Sequence, residues 1–206
     1  MRNRFQLTAA TISATALAGA VLAGCSSESM GSSMDNEIIA TTGVWADVAS
    51  AVTGTDVEAI ITGDAVDPHH FEPAAKDLAR IKNAGTVVAN GGAYDAALYT
   101  VAEQDRIVHA IPLEGETHDH DHDAHGHDHA HLPDSLDELE HAWFAPAKVR
   151  EVASAVAERT GGDAGSVEKR MGEIEQKLAA VQHVHIGMTE PIAAGLVWGT
   201  EPVSYT

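Results

Sequence analysis

The chain has 206 residues, of which 44% are apolar but only 4% aromatic, so its core must be built from Ala, Val, Ile and Leu, as in many α/β domains. Its length is enough for one domain or two small lobes. The formal net charge of -19 repels phosphate backbones and anionic membrane surfaces and attracts cations, which argues against nucleic acid as a partner.

Residues 1–24 have the pattern of an export signal, in which two arginines precede an Ala-rich stretch too short to span a membrane stably. The stretch ends in Leu22-Ala23-Gly24-Cys25, which resembles the cleavage box of bacterial lipoproteins. Cys25 is the single cysteine, which excludes an internal disulfide and a cysteine zinc site. We therefore expect an extracytoplasmic protein anchored to the cell membrane by a lipid on Cys25. The alternative is an ordinary cleaved signal that leaves Cys25 as a free thiol.

A flexible tether, residues 25–36, precedes a body in which strand and helix patterns alternate. The predicted strands are Glu37 to Thr42, Val57 to Ile61, Thr86 to Ala89 and Ile107 to Ile111. The predicted helices between them are Val44 to Val52, Ala74 to Asn83 and Asp95 to Gln104. This alternation predicts a parallel sheet with helices on its faces and a ligand site at the carboxyl ends of the strands.

The stretch 117–131, THDHDHDAHGHDHAH, contains seven of the 13 histidines and almost no side chain able to join a core. It predicts a solvated loop. Its histidines are candidate accessory metal ligands, which would gather ions in weak, exchanging sites: His118, His120, His122, His125, His127, His129 and His131. The alternative is a polar spacer.

Beyond the loop, Ala147 to Arg159 and Ala164 to Gln182 have helical patterns separated by a Gly-Gly pair. Val184 to Met188 then resembles a new strand, and Pro191 to Val197 could begin another helix. The alternation has barely restarted when the printed sequence stops at Thr206. We therefore expect residues 183–206 to open a second lobe that is incomplete in this chain.

Two histidines outside the loop are candidates for metal chemistry. The first is in Asp67-Pro68-His69-His70-Phe71-Glu72-Pro73, where two prolines restrict the backbone and would hold an imidazole in place before a metal arrives. The second is His141, between the histidine loop and a helix. On residue pattern alone, surface histidines in a turn are an equally good explanation of the first site, and a lone His such as His141 is usually structural.

Together these features resemble the metal-binding solute receptors of ABC importers, the zinc and manganese cluster that includes ZnuA-like and PsaA-like proteins. The matching features, in the same order and spacing, are the lipoprotein start, the DPH-x-[YF]-EP box at Asp67 to Pro73, the NG-x-x-[YF]-D stretch at Asn90 to Asp95, and the His-Ala-Trp box at His141 to Trp143. The histidine-rich loop falls in the interval where zinc members of the family carry one.

The resemblance implies a two-lobed, periplasmic-binding-protein-like α/β fold. The first lobe would be residues 37–146, and the helices of residues 147–182 would include a long rigid spine between the lobes. His69 and His141 would be metal ligands, with His70 a neighbour. The third ligand would be Glu190, from Gly187-Met188-Thr189-Glu190-Pro191, with His185 as a rival inside the presumed strand. A fourth, often Asp, would belong to the missing part of the second lobe.

Two imidazoles and one carboxylate suit a borderline ion such as zinc. A Glu as the third ligand favours manganese, whereas the seven-histidine loop favours zinc, so zinc is the first choice and manganese the second. The implied function is capture of this ion and delivery to an ABC permease and its ATPase by a monomeric protein that is not an enzyme. A zinc hydrolase shares the ligand composition, but the sequence has no HExxH helix. A surface metal buffer or adhesin without a transporter is the third possibility.

Overall fold

A computed structural model describes residues 37–63, 66–115, 135–181, 185–188, 191–198 and 204–205. The predicted signal and tether, the lipid-anchor candidate Cys25, the histidine-rich stretch 117–131 and Glu190 lie outside the described residues. Within the described ranges, no helix is long and apolar enough to cross a membrane.

Four parallel strands form the main sheet, in the order β2-β1-β3-β4. They are β1 (Ile38–Thr42), β2 (Glu58–Ile61), β3 (Thr86–Ala89) and β4 (Ile107–His109). Along the chain, β2 is added to one side of β1, and β3 and β4 are then added on the other side. The direction in which strands are added therefore reverses between β1 and β3. Ligand sites in sheets of this kind lie at such a reversal, at the carboxyl edge.

The helices of the first sheet and the segment after it are α1 (Gly43–Thr53), α2 (Ala75–Asn83), α3 (Ala96–Tyr99), α4 (Pro146–Thr160) and α5 (Gly165–Ala179). Helices α1, α4 and α5 contact one another, and α2 contacts α3. The predicted α/β class and the parallel sheet are therefore confirmed.

Alternating side chains of the strands build two apolar cores, one on each face of the sheet. Ala40 and Val88 join the core under α1 and α4, which also holds the fully buried Trp45. Their neighbours Ile39 and Val87 join the opposite core under α2 and α3. Both faces are thus covered, as a parallel sheet of apolar strands requires.

The long helix expected through Gln182 ends at Ala179. Two other predicted boundaries are wrong because hydrogen bonds to neighbouring loops end the element early. The helix expected through Gln104 ends after one turn at Tyr99, whose hydroxyl donates to the carbonyl of Gly92 and accepts from the backbone N–H of Glu114. The last strand ends at His109 rather than Ile111, because the N–H groups of Ala110 and Ile111 both donate to the carbonyl of Asn90. Each change draws the chain towards the loop that follows β3.

A second, two-stranded parallel sheet pairs β5 (His185–Ile186) with β6 (Ser204–Tyr205), a strand that the sequence did not reveal. Between them lies α6 (Ala194–Val197). Ala194 is fully buried against Leu139 and Ala145. The segment that opens the predicted second lobe therefore packs directly on the loop that carries His141.

Candidate metal-binding site

The loop after β2 presents two adjacent histidines to different surroundings. Asp67 caps the short 3-10 turn Pro68–His70, because its carboxylate accepts from the backbone N–H of His69 at 3.0 Å. The same carboxylate lies 2.8 Å from Nδ1 of His70, and these two bonds lower the pKa of Asp67, the contact with His70 most. The His70 side chain is 85% exposed, whereas that of His69 is 34% exposed. Only His69 turns towards the body of the protein.

Tyr94 brings His69 and His141 together. Its ring packs edge to face against both imidazoles, with centroid distances of 5.0 Å to His69 and 5.6 Å to His141. Burial, with smaller effects from nearby carboxylates, raises the pKa of Tyr94 to about 12, so its hydroxyl stays neutral. The two predicted ligands, from loops far apart in the sequence, thus share one neutral aromatic neighbour.

His141 has a second aromatic neighbour. Its ring lies 5.0 Å from that of Trp143, which in turn lies 5.2 Å from the ring of Tyr94. Nδ1 of His141 is inaccessible to solvent. Aromatic packing of this kind restricts the rotamers of an imidazole before any ligand binds, which lowers the entropic cost of binding.

The loop that carries Tyr94 is held by the buried carboxylate of Asp95. It accepts hydrogen bonds from the Thr41 hydroxyl and from the backbone N–H groups of Asn90, at 2.7 Å, and Gly91, at 3.0 Å. Burial raises the pKa of Asp95 even though these bonds oppose the rise. Gly91 has φ +93°, and a Cβ there would lie 2.1 Å from the carbonyl oxygen of Ile111. The turn therefore requires glycine at this position.

Asn90 connects this loop to the residue before His141. It is fully buried, accepts from the indole N–H of Trp45 at 3.2 Å and donates through Nδ2 to the carbonyl of Glu140 at 2.7 Å. Oε1 of Glu140 in turn lies 3.5 Å from Nδ1 of His69. One chain of contacts thus runs from the sheet to both candidate ligands.

A buried lysine fixes the start of the His141 segment. Lys148 on α4 pairs with Asp137 and with Glu151 at 2.8 Å, while its own side chain is only 10% exposed. Desolvation lowers the pKa of Lys148, but the two hydrogen bonds outweigh it and the net shift is upward. The ion pair with Asp137 ties the short 3-10 turn Leu136–Glu138 to the helix.

The structure therefore brings together two of the three predicted metal ligands. Among the residues it describes, no group of three or more His, Cys, Asp or Glu side chains is placed to hold a metal ion. Glu190 and the loop histidines lie outside those residues, and for the rival His185 only the backbone is described. Sequence reasoning did not assign roles to Asn90, Tyr94 or Glu140, although the first two lie in a motif that it singled out.

A family model described as zinc-uptake complex component A, periplasmic (ZnuA), matches residues 38–189, well over half of the chain. The chain belongs to this family. The predicted resemblance is thus confirmed, and the ZnuA description names a component of an uptake complex rather than an enzyme. The comparison with curated protein sequences gives no match.

Solved structures share the fold. The metal-dependent lipoprotein YcdH from Bacillus subtilis is 14% identical, with a TM-score of 0.59 over 82% of this chain and 66% of YcdH. The Zn(II)-bound ZnuA-like domain of Streptococcus pneumoniae AdcA is 17% identical, with a TM-score of 0.54 over 83% and 67% of the two chains. The laminin-binding protein Lmb of Streptococcus agalactiae, described as an adhesin with metal-transporting activity, is 15% identical, with a TM-score of 0.52 over 80% and 65%. This ZnuA-family chain therefore spans about two thirds of the length of these structures.

Proposed function

We propose that this ZnuA-family protein is the extracytoplasmic binding component of a metal ABC importer, which captures a divalent transition-metal ion and delivers it to a membrane permease with its ATPase. The observation that carries the proposal is the convergence of His69 and His141 on Tyr94. A pair of imidazoles suits zinc, copper and nickel better than manganese. We therefore favour zinc as the cargo and manganese as the second choice.

We assign the third ligand to Glu190, from the segment that opens the second lobe. Support comes from the residues that follow it, because Ala194 and Gly195 pack against Ala145, close to His141. A Cβ on Gly195 would lie 2.8 Å from Cβ of Ala145, so the two segments are in close contact. A metal held by both segments would stabilise their closed arrangement, which a permease could recognise.

Two other parts of the sequence complete the proposal. The histidines of 118–131 would gather ions in weak sites, and a lipid on Cys25 would hold the monomeric protein at the cell membrane. Globomycin-sensitive processing and metabolic labelling with palmitate would test the anchor. A Cys25→Ser variant that still incorporates label would contradict it.

The ligand assignment is tested by zinc competition titration in a background in which the seven loop histidines are replaced by Asn. This background removes the weak sites that would otherwise mask a single strong one. Since tight zinc sites bind with about 10–16 kcal/mol shared among three or four ligands, loss of one ligand should weaken binding by about 100-fold or more. We expect this for His69→Ala, His141→Ala and Glu190→Ala.

His70→Ala is the matched control, because His70 is the neighbour of His69 but faces solvent and Asp67. Its zinc affinity should stay within about threefold of the parent, since it lies outside the site. Unchanged zinc affinity in His69→Ala would refute the site. Manganese measured in parallel should bind more weakly than zinc; the reverse order would refute the choice of cargo.

A further inference from the structure

Glu140 contacts both loops of the candidate site. Its carboxylate is 43% exposed and lies 3.5 Å from Nδ1 of His69, while its backbone carries directly on to His141. The side chain of Glu140 therefore contacts the candidate ligand His69, and its backbone helps to position the candidate ligand His141.

The backbone of Glu140 is held by an amide whose orientation is fixed. The indole of Trp45 can only donate, so the Asn90 side chain must present its oxygen to Trp45 and its NH₂ group to the carbonyl of Glu140. Because Asn90 is fully buried, neither contact can be exchanged easily for water. The Glu140 carbonyl is thus anchored to the end of β3.

Asp67, another acid close to His69, is already engaged. Asp67 accepts from the backbone N–H of His69 and contacts Nδ1 of His70 with its second oxygen. Its carboxylate therefore orients the turn and the exposed histidine. Among the residues that the structure describes, the carboxylate that lies next to the ring of His69 is that of Glu140.

We propose that Glu140 is a positioning residue for His69. Its carboxylate accepts a hydrogen bond from Nδ1–H of His69, which leaves Nε2 to bind the metal. The proposal rests on the metal-binding function proposed above. Metal-ligating histidines commonly donate their second ring N–H to a carboxylate, which fixes the tautomer and the ring orientation. At 3.5 Å the carboxylate already favours a proton on Nδ1 in the metal-free protein, and a cation at Nε2 makes Nδ1–H a stronger donor to it.

The test compares Glu140→Ala, Glu140→Gln and the control Glu138→Gln in the full chain with the loop histidines replaced. Two quantities are measured: the zinc dissociation constant, and the tautomer of His69 in the metal-free protein from its ring ¹⁵N shifts. Glu140→Ala should weaken zinc binding by about 10- to 100-fold, the usual effect of removing such a carboxylate, and should shift His69 towards the Nε2–H tautomer. Glu140→Gln should lose less, because its amide oxygen can still accept from Nδ1–H.

Glu138→Gln removes the same charge two residues away, on an exposed side chain, and should bind zinc within about twofold of the parent. Equal losses in Glu140→Ala and Glu138→Gln would overturn the proposal, because they would reflect charge alone. So would an unchanged His69 tautomer in Glu140→Ala. If the parent protein binds no zinc, the proposed function fails, whereas the tautomer of the metal-free protein still decides the role of Glu140.

Discussion

Replacement of Asn90 by Ala tests whether the sheet holds the His141 loop in place. The change removes the hydrogen bond from Trp45 at 3.2 Å and the bond to the Glu140 carbonyl at 2.7 Å. Each bond contributes about 1 kcal/mol net, and the buried indole N–H left without an acceptor costs about 1 kcal/mol more, so we expect a loss of about 3 kcal/mol in the free energy of unfolding.

The measurement is urea unfolding of the metal-free protein followed by tryptophan fluorescence, with the slope of the transition checked for constancy. Asn83→Ala, at an exposed asparagine at the end of α2, is the control and should change the free energy of unfolding by less than about 0.5 kcal/mol. A loss below about 1 kcal/mol in Asn90→Ala would refute the reasoning, because the two bonds would then be replaced by water at no cost. Zinc affinity should fall in the same variant, since the Glu140 carbonyl loses its donor.

Two further predictions concern the frame around the site. Gly91→Ala should destabilise the protein by about 3 kcal/mol or more, because its Cβ would lie 2.1 Å from the carbonyl oxygen of Ile111. Gly54→Ala, at φ +71° in open space, should cost only about 1–2 kcal/mol for the unfavourable backbone conformation. Similar thermal unfolding midpoints for the two variants would contradict this prediction. The two hydrogen bonds of Lys148 hold its pKa above the ordinary value of 10.5, so its stabilising effect is present below that pH and is lost as pH rises through the folded-state pKa. The difference in unfolding free energy between the parent and Lys148→Met should therefore be constant, at about 1–2 kcal/mol, from about pH 8 to 10 and should shrink above that range. In the control Lys82→Met, the free energy of unfolding should equal that of the parent over the same range.

Much of the fold follows from apolar patterning. The four strands of the main sheet and helices α1, α2 and α4 are predicted to within two residues, because their buried positions repeat with clear periods. The helix predicted from Asp95 fails for a tertiary reason. Asp95 and Tyr99 bond to the loop before them, and those bonds end the helix after one turn.

The site was predicted less completely than the fold. Short motifs that resemble those of the family predict His69 and His141 as ligands, but no local pattern shows that both rings pack against Tyr94. The contact between Glu140 and His69 joins residues from different loops, so it depends on how β2, β3 and the His141 segment are placed in space. The Asn90-Gly91 turn that organises these contacts was visible in the sequence only as a motif.

The central claim is that one metal ion is held jointly by His69 and His141. The most direct measurement is a crystal structure of the zinc-loaded protein with anomalous data collected at the zinc edge. We expect one strong peak about 2.0–2.1 Å from a ring nitrogen of each histidine, with Nε2 as the ligating atom of His69. A zinc ion bound at full occupancy elsewhere, with both rings uncoordinated, would contradict the account.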